Sequence, residues 1–282
     1  MRIAEYEEIF FKVLMWLAFL LMAGTLLFII GTIALKGIPA MNWDMVTKSA
    51  KGGFYLGKEG GVLHAIAGSF CIAGGAGIIS IFISVPLVIF LNVYLNKKSV
   101  FSSVTRFFME ILTGVPSIVI GTICFTFMMY IGMRASLLGG IIAITILITP
   151  VMCRSLDEIA SQVPEELMTA TFALGSTKYE AGFIVFFRQI VPGIVSSFLL
   201  AFGRGIGDAA AVLFTAGFTD NMPSSLFEPV ASLSLAIFFQ LEMPIEAVRQ
   251  RAYASALILT FIILIISILS RMIAARYRKF KV

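Results

Sequence analysis

Gly203-Arg-Gly-Ile-Gly-Asp-Ala-Ala-Ala-Val-Leu-Phe-Thr215 is the stretch that decides how this chain is read. Arg204 and Asp208 stand in an apolar segment long enough to cross a membrane. Ionisable residues in such a place are costly, and they mark a path for a polar substrate. Four residues apart, they are expected to share one face of a helix. Two readings follow. Either the two charges pair so that both can be buried, or Arg204 lines a water-filled path and meets an anion. Arginine suits the second role because its guanidinium stays charged and fits oxyanions with two parallel hydrogen bonds. Asp208 would then hold Arg204 in place and keep the anion from binding too tightly to leave. Upstream lies a polar segment over 153–191, too long for a turn between spans. Its length points to a docking surface for a partner.

Composition sets the class. Of 282 residues, 59% are hydrophobic and 13% charged, against roughly 25% charged in soluble domains. The chain reads as an integral membrane protein. Its net charge of +5 is no nucleic-acid signal, because the basic residues gather at the ends of apolar segments. Cys71, Cys124 and Cys153 are odd in number and carry no disulfide or metal spacing; packing in the core is the expected use of all three. The N-terminus, with Glu5, Glu7 and Glu8 beside Arg2 and Lys12, leads into an apolar run too long for a signal-peptide core. No small-residue cleavage site follows it, so a retained first span is expected.

At ~20 residues per helical span, the apolar segments fall at about 13–35, 63–95, 110–131, 137–153, 192–217 and 252–272. The second is too long for one straight span, and with Gly74-Gly-Ala-Gly77 and Pro86 in it, it is expected to kink or to project beyond the bilayer. The fourth is expected to end near Thr149-Pro150, and 224–243 to be interfacial or re-entrant. With the N-terminus inside, thirteen basic residues fall in the cytoplasm and seven outside, Arg204 being the last of the 21. That bias favours both termini inside and places 153–191 in the cytoplasm.

Other motifs are incomplete. Gly52-Gly-Phe-Tyr-Leu-Gly57-Lys58 has phosphate-loop spacing, but Glu59 follows where a Ser or Thr must hold Mg²⁺. ATP-driven work would therefore need a separate ATPase subunit. Gly203, Gly205 and Gly207 lack dinucleotide-fingerprint spacing, and small residues in a span more often permit close packing. His64, the only histidine, has no companion at ligand spacing. No nucleophile–base constellation or carboxylate pair can be assembled. Neither enzyme activity, nor a metal site, nor a cofactor is expected.

Val163-Pro-Glu-Glu-Leu-Met-Thr-Ala-Thr-Phe-Ala-Leu-Gly-Ser-Thr-Lys-Tyr179 resembles the coupling loop of ABC importer permeases. The resemblance implies short cytoplasmic helices that sit in a groove of the ATPase, with Gly175 at the turn between them. Val163, Pro164, Glu165, Glu166, Thr169, Ala170, Gly175 and Lys178 are the positions it assigns to coupling. The family's Glu-Ala-Ala falls on Thr169-Ala170-Thr171, so its Glu is absent and Glu165 or Glu166 stands one turn upstream. A family Pro falls on Arg188. Val191-Pro192-Gly193 matches the family's exit into the next span.

Gly114-Val-Pro-Ser-Ile-Val-Ile-Gly121, Ile148-Thr-Pro-Val-Met-Cys-Arg154 and Arg204 to Thr215 narrow the resemblance to the A-subunit type of phosphate-specific importers. That subunit usually carries Glu where Asp208 stands. The implied fold is all-α: a polytopic membrane protein with about six transmembrane helices and the type I ABC importer permease fold. Residues 1–60 would form a first span and external loop, and 61–282 the permease domain. The implied partners are a homologous second permease, two copies of an ABC ATPase and an external phosphate-binding protein at a prokaryotic plasma membrane. Three rivals stand beside this reading. One is a permease for another oxyanion, such as molybdate, tungstate, sulfate or phosphonate. Another is a secondary transporter or channel working alone, which leaves 153–191 without a use. The third is a purely structural or sensing membrane subunit.

Overall fold

The structure, a computed structural model, describes residues 2–51, 59–95 and 99–278. The phosphate-loop-like run Gly52–Lys58, Lys97-Lys98 and the end of the basic tail lie outside the described residues. Among the described residues, five helices are long and apolar enough to cross a membrane, and a bent pair makes a sixth. Helix α1 spans Arg2–Gly37. Its apolar window is uncovered by the rest of the chain, and it is held at its C-terminal end. There Lys36 Nζ lies 5.0 Å above the Tyr253 ring, and Gly37 packs on the Tyr253 backbone, where a Cβ would come within 2.7 Å of a carbonyl oxygen. Short α2 (Trp43–Thr47) follows, its N-terminus capped by the Asn42 side chain. A two-residue antiparallel pair joins β1 (Ala50–Lys51) to β2 (Glu59–Gly60).

Helix α3 (Leu63–Ile89) passes unbroken through Gly74–Gly77 and Pro86, then widens into a π turn at Phe90–Tyr94. Helix α6 (Leu137–Ala160) makes the most extensive helix–helix contact of the fold with α3. Small residues let the two backbones close up, as is usual between membrane helices. Gly75 accommodates Ile141, and Gly140 sits against Ile72 and Ala216. Polar couples recur along this seam, with Ser80 Oγ 2.9 Å from Thr149 Oγ1 and Cys153 Sγ donating to Ser84 Oγ at 3.1 Å.

Four expected boundaries are corrected. The segment at 110–131 is two helices, α4 (Val100–Gly114) and α5 (Ser117–Tyr130), bent by 96°. Val115 and Pro116 between them are extended; proline disfavours helical backbone at the residue before it. Helix α6 does not end at Pro150 but runs ten residues further, to Ala160. Buried helices tolerate proline where neighbours satisfy the backbone, and here Pro150 is itself buried. The segment between the long helices is shorter than 153–191. After helix α7 (Glu165–Ala173), α8 runs continuously over Lys178–Gly207, so Val191-Pro192-Gly193 lies inside it rather than at its entrance. Lastly, α8 ends at Gly207 rather than at 217. The chain is then irregular up to the Ser232 cap of α9 (Leu233–Leu241). Helix α10 (Glu246–Arg278) closes the fold, packing on α8, α9 and the end of α1. Cys124 and Cys153 are buried as expected, whereas Cys71 is exposed.

Candidate functional site

Two regions carry the residues singled out from the sequence. At one end of the bundle, α7 begins after Pro164 with Glu165 and Glu166 in its first turn, where negative charge complements the helix dipole. Gly175 follows α7 with φ +83°, a conformation glycine adopts without a steric penalty. Thr177 and Glu180 then form a reciprocal capping box that starts α8: the Glu180 amide donates to Thr177 Oγ1 at 3.3 Å, and the Thr177 amide to Glu180 Oε2 at 2.8 Å. Val163 packs on an inner cluster of Val85, Ile89, Leu156 and Phe186. The outer surface is apolar and bare, with Leu174 87% and Tyr179 62% exposed. Glu165, Glu166, Thr169 and Ala170 line an open groove beside it. Lys178 is exposed at the first turn of α8. All the sequence-predicted coupling residues therefore fall on one short segment.

The second region is the end of α8. Arg204 is exposed on its last turn, favourably placed at a helix C-terminus. Its neighbour Gly205 lies against Ile144 and Ile148, toward the middle of α6. Asp208 is not on the helix. Its backbone is extended at φ −80°, ψ 121°, so the two residues do not share a helical face. Among the described residues Arg204 makes no ion pair or hydrogen bond. Asp208 turns inward: its Oδ1 accepts from the Ala211 amide at 2.8 Å, the local bond by which Asp starts a turn. Its carbonyl accepts from Ser234 Oγ at 3.0 Å. The geometry therefore removes the reading of an internal Arg204–Asp208 pair.

The irregular chain after Asp208 is bonded, and it is buried at Ala211, Val212, Thr215 and Ala216 and again from Val230, while 224–229 is exposed. Ser136 N donates to Thr215 O at 2.9 Å, Leu137 N to Glu228 O at 2.8 Å and Leu138 N to Leu226 O at 2.8 Å. These are amides at the start of α6 that no helical partner could satisfy. Ser69 Oγ accepts from Leu233 N at 2.7 Å, and Ser232 caps α9. Sequence reasoning saw Arg204 and Asp208 but not this cap, because the acceptors are backbone carbonyls and leave no mark on the side-chain pattern.

Sequence reasoning also missed a charged joint near the α7 end of the bundle. Arg106 of α4 donates to Asp157 of α6 from Nε at 2.7 Å and from Nη2 at 3.2 Å, and Asn92 Nδ2 reaches Asp157 Oδ1 at 2.7 Å. Arg106 and Asp157 border a cleft of about 300 Å³ that also meets Glu110, Arg154 and Glu158. Two guanidinium groups face three carboxylates there, so the cleft does not favour an anion. Among the described residues no group of His, Cys, Asp and Glu could hold a metal. His64 is fully buried at the start of α3.

A bundle of membrane-length helices, an exposed helix–turn–helix and a helix broken beside an arginine with no described partner are the features of a multi-pass membrane protein. The chain belongs to the family described as binding-protein-dependent transport system inner membrane component, which matches residues 84–279. It is a permease family, not an enzyme family. The chain is 32% identical over 249 residues to the phosphate transport system permease protein PstA of Haemophilus influenzae, covering 88% of this chain and 86% of that one. The protein of the same description from Mycobacterium leprae is 33% identical over 256 residues, covering 89% and 82%. The fold is that of the ABC importer permeases: an inward-facing structure of the MetNI methionine ABC transporter matches with a TM-score of 0.60 at 16% identity, over 76% of this chain and 95% of that chain.

The turn at Asp208 makes one measurable prediction. Asp208→Ala leaves the buried Ala211 amide without its acceptor, at a cost of about 1–3 kcal/mol, whereas Asp208→Asn keeps an oxygen in place. Thermal unfolding of the purified protein should show a clear loss for Ala and little change for Asn. Equal loss in both would mean that the charge, not the cap, is what the fold needs.

Proposed function

We propose that the chain is one of two transmembrane subunits of an ATP-driven importer of inorganic phosphate. Residues 1–60 would supply a first span and external loop, and 61–282 the pathway. The observation that carries the reading is Arg204: a cation toward the middle of the membrane bundle that no described carboxylate neutralises. A single unpaired guanidinium is expensive in an apolar setting, and a passing oxyanion would relieve that cost. The names of the relatives support phosphate as the cargo. The likeness in fold and the bare apolar surface around Leu174 and Tyr179 support docking of a separate ATPase, two copies per complex. A homologous second permease and an external phosphate-binding protein complete the assembly, in a prokaryotic plasma membrane with both termini inside. Asp208 serves the pathway indirectly, by fixing the break that turns Arg204 outward.

The test is uptake of radiolabelled phosphate into vesicles holding the complete complex, driven by ATP, with molybdate and sulfate as competitors. Arg204→Gln should abolish uptake while the complex still assembles. Arg204→Lys should retain little, because an ammonium lacks the fork geometry. With no internal pair to rebalance, Arg204→Gln/Asp208→Asn should stay inactive; recovery of uptake in that double variant would reject the pathway role.

Gly175→Val should place a β-branched side chain at positive φ, where only glycine is comfortable. The expected outcome is loss of ATPase association, or of uptake with hydrolysis continuing. Normal assembly and uptake would refute docking at this turn. Cysteines introduced for Tyr179 and Met222, after removal of the three native ones, should react with an impermeant thiol reagent from opposite sides of the membrane. Labelling of both from outside would overturn the orientation.

A further inference from the structure

We propose that Asp157 is the positioning residue through which movement of the docking segment reaches the bent helix pair α4–α5. This rests on the importer reading given above. Asp157 lies one turn before the end of α6 at Ala160, so it stands at the root of the segment that carries α7. Its two carboxylate oxygens accept from three nitrogens on two other helices. Arg106 of α4 donates through Nε and Nη2, at 2.7 and 3.2 Å, and Asn92 donates from the π turn of α3 at 2.7 Å.

Each donor is itself fixed. Arg106 Nη1 donates to Ser102 Oγ at 2.6 Å, and Asn92 Nδ2 also reaches Val88 O at 2.9 Å. The pair is largely shielded, with side-chain exposure of 18% for Asp157 and 34% for Arg106. The neighbouring pair of Arg154 and Glu110, at 3.5 Å, is exposed at 59% and 66%. Exposed pairs of that kind hold little, whereas a shielded, bidentate one fixes both distance and orientation. Of the two, only the Asp157 pair can act as a rigid joint.

The surroundings give the joint something to transmit. The π turn at Phe90–Tyr94 faces a second π turn, Ala181–Phe186, at the start of α8. They meet tightly: a Cβ on Gly182 would lie 3.2 Å from Ile89. π turns occur often at functional sites. Leu156 and Phe186 are buried in the same cluster, which also takes in Val163 and Met168 of the docking segment. A push on α7 therefore meets a packed block that includes the end of α6. Helix α4 joins that block through Arg106, and a 96° bend connects α4 to α5, which packs beside the segment following Arg204: a Cβ on Gly121 would lie 2.7 Å from Ala211 O.

Two measurements on the complete complex in vesicles test this. Asp157→Asn keeps the side-chain volume but loses the charge and one strong acceptor. Phosphate imported per ATP hydrolysed should fall about tenfold, within the range of typical coupling energies, while the complex purifies intact and ATP hydrolysis continues. An unchanged ratio overturns the proposal. The second measurement uses cysteines in place of Arg106 and Asp157, with Cys71, Cys124 and Cys153 removed, bridged by a short bis-maleimide. If α4 and α6 move as one body, the bridged complex keeps its uptake; loss of uptake on bridging overturns the proposal, including where Asp157→Asn fails to assemble. Failure of the importer reading itself shows elsewhere, in an unmodified complex that takes up no phosphate on ATP.

Discussion

Backbone amides and carbonyls inside a bilayer have no water to turn to, and this chain's architecture follows from how it meets that constraint. Unbroken helices meet it internally, but α8 stops at Gly207, with the chain still inside the bundle. The irregular stretch that follows is tolerated only where protein satisfies it. Its carbonyls at Thr215, Leu226 and Glu228 do so by accepting from the first amides of α6. Two deficits cancel: α6 lacks acceptors at its start, and the irregular chain lacks donors. Ser69 and Ser232 do the same for the start of α9. The break is thus a fixed part of the fold.

Fixing the break decides where charge can go. On a continuous helix, Arg204 and Asp208 would lie one turn apart and neutralise each other. Ending the helix between them turns Asp208 inward, onto the Ala211 amide and Ser234, and leaves Arg204 outward. Asp208 thereby becomes structural, and a short side chain such as Asp is well suited to capping a turn.

Much of this was legible in the sequence, and the failures have common causes. Hydropathy places all six apolar segments, and Gly175 is recognisable because a turn between polar helices needs positive φ. Proline misled in both directions. Pro150 and Pro192 read as helix ends yet lie inside α6 and α8, since a packed helix can lose one hydrogen bond. Pro116 was overlooked, although it follows the bend that divides α4 from α5. The exit of α8 at Gly207 was illegible because alanine and glycine at 207–211 suit a helix as well as a turn. Asp157 went unnoticed because its partner Arg106 is 51 residues away, and as a charge near a span end Arg106 counts toward orientation.

The two functional regions are separated along α6 and α8, and the packing between those helices decides how one can affect the other. Near the α7 end, a Cβ on Gly193 would lie 2.7 Å from Ile159; further along, one on Gly205 would lie 2.9 Å from Ile144. Between these points Ser197 donates to Ser155 at 3.0 Å. Twelve residues of α8 separate the two glycines, about 18 Å at 1.5 Å per residue. Contacts this close at both ends leave no room for one helix to slide past the other without a clash, because packed cores repack between discrete arrangements rather than deform smoothly. Any movement of α7 that displaces this end of the bundle would therefore carry α6 and α8 together and bring Arg204 with them. What can shift relative to that block are the parts attached by a bend or by one end: α5 across Val115-Pro116, and α1, held mainly near Gly37.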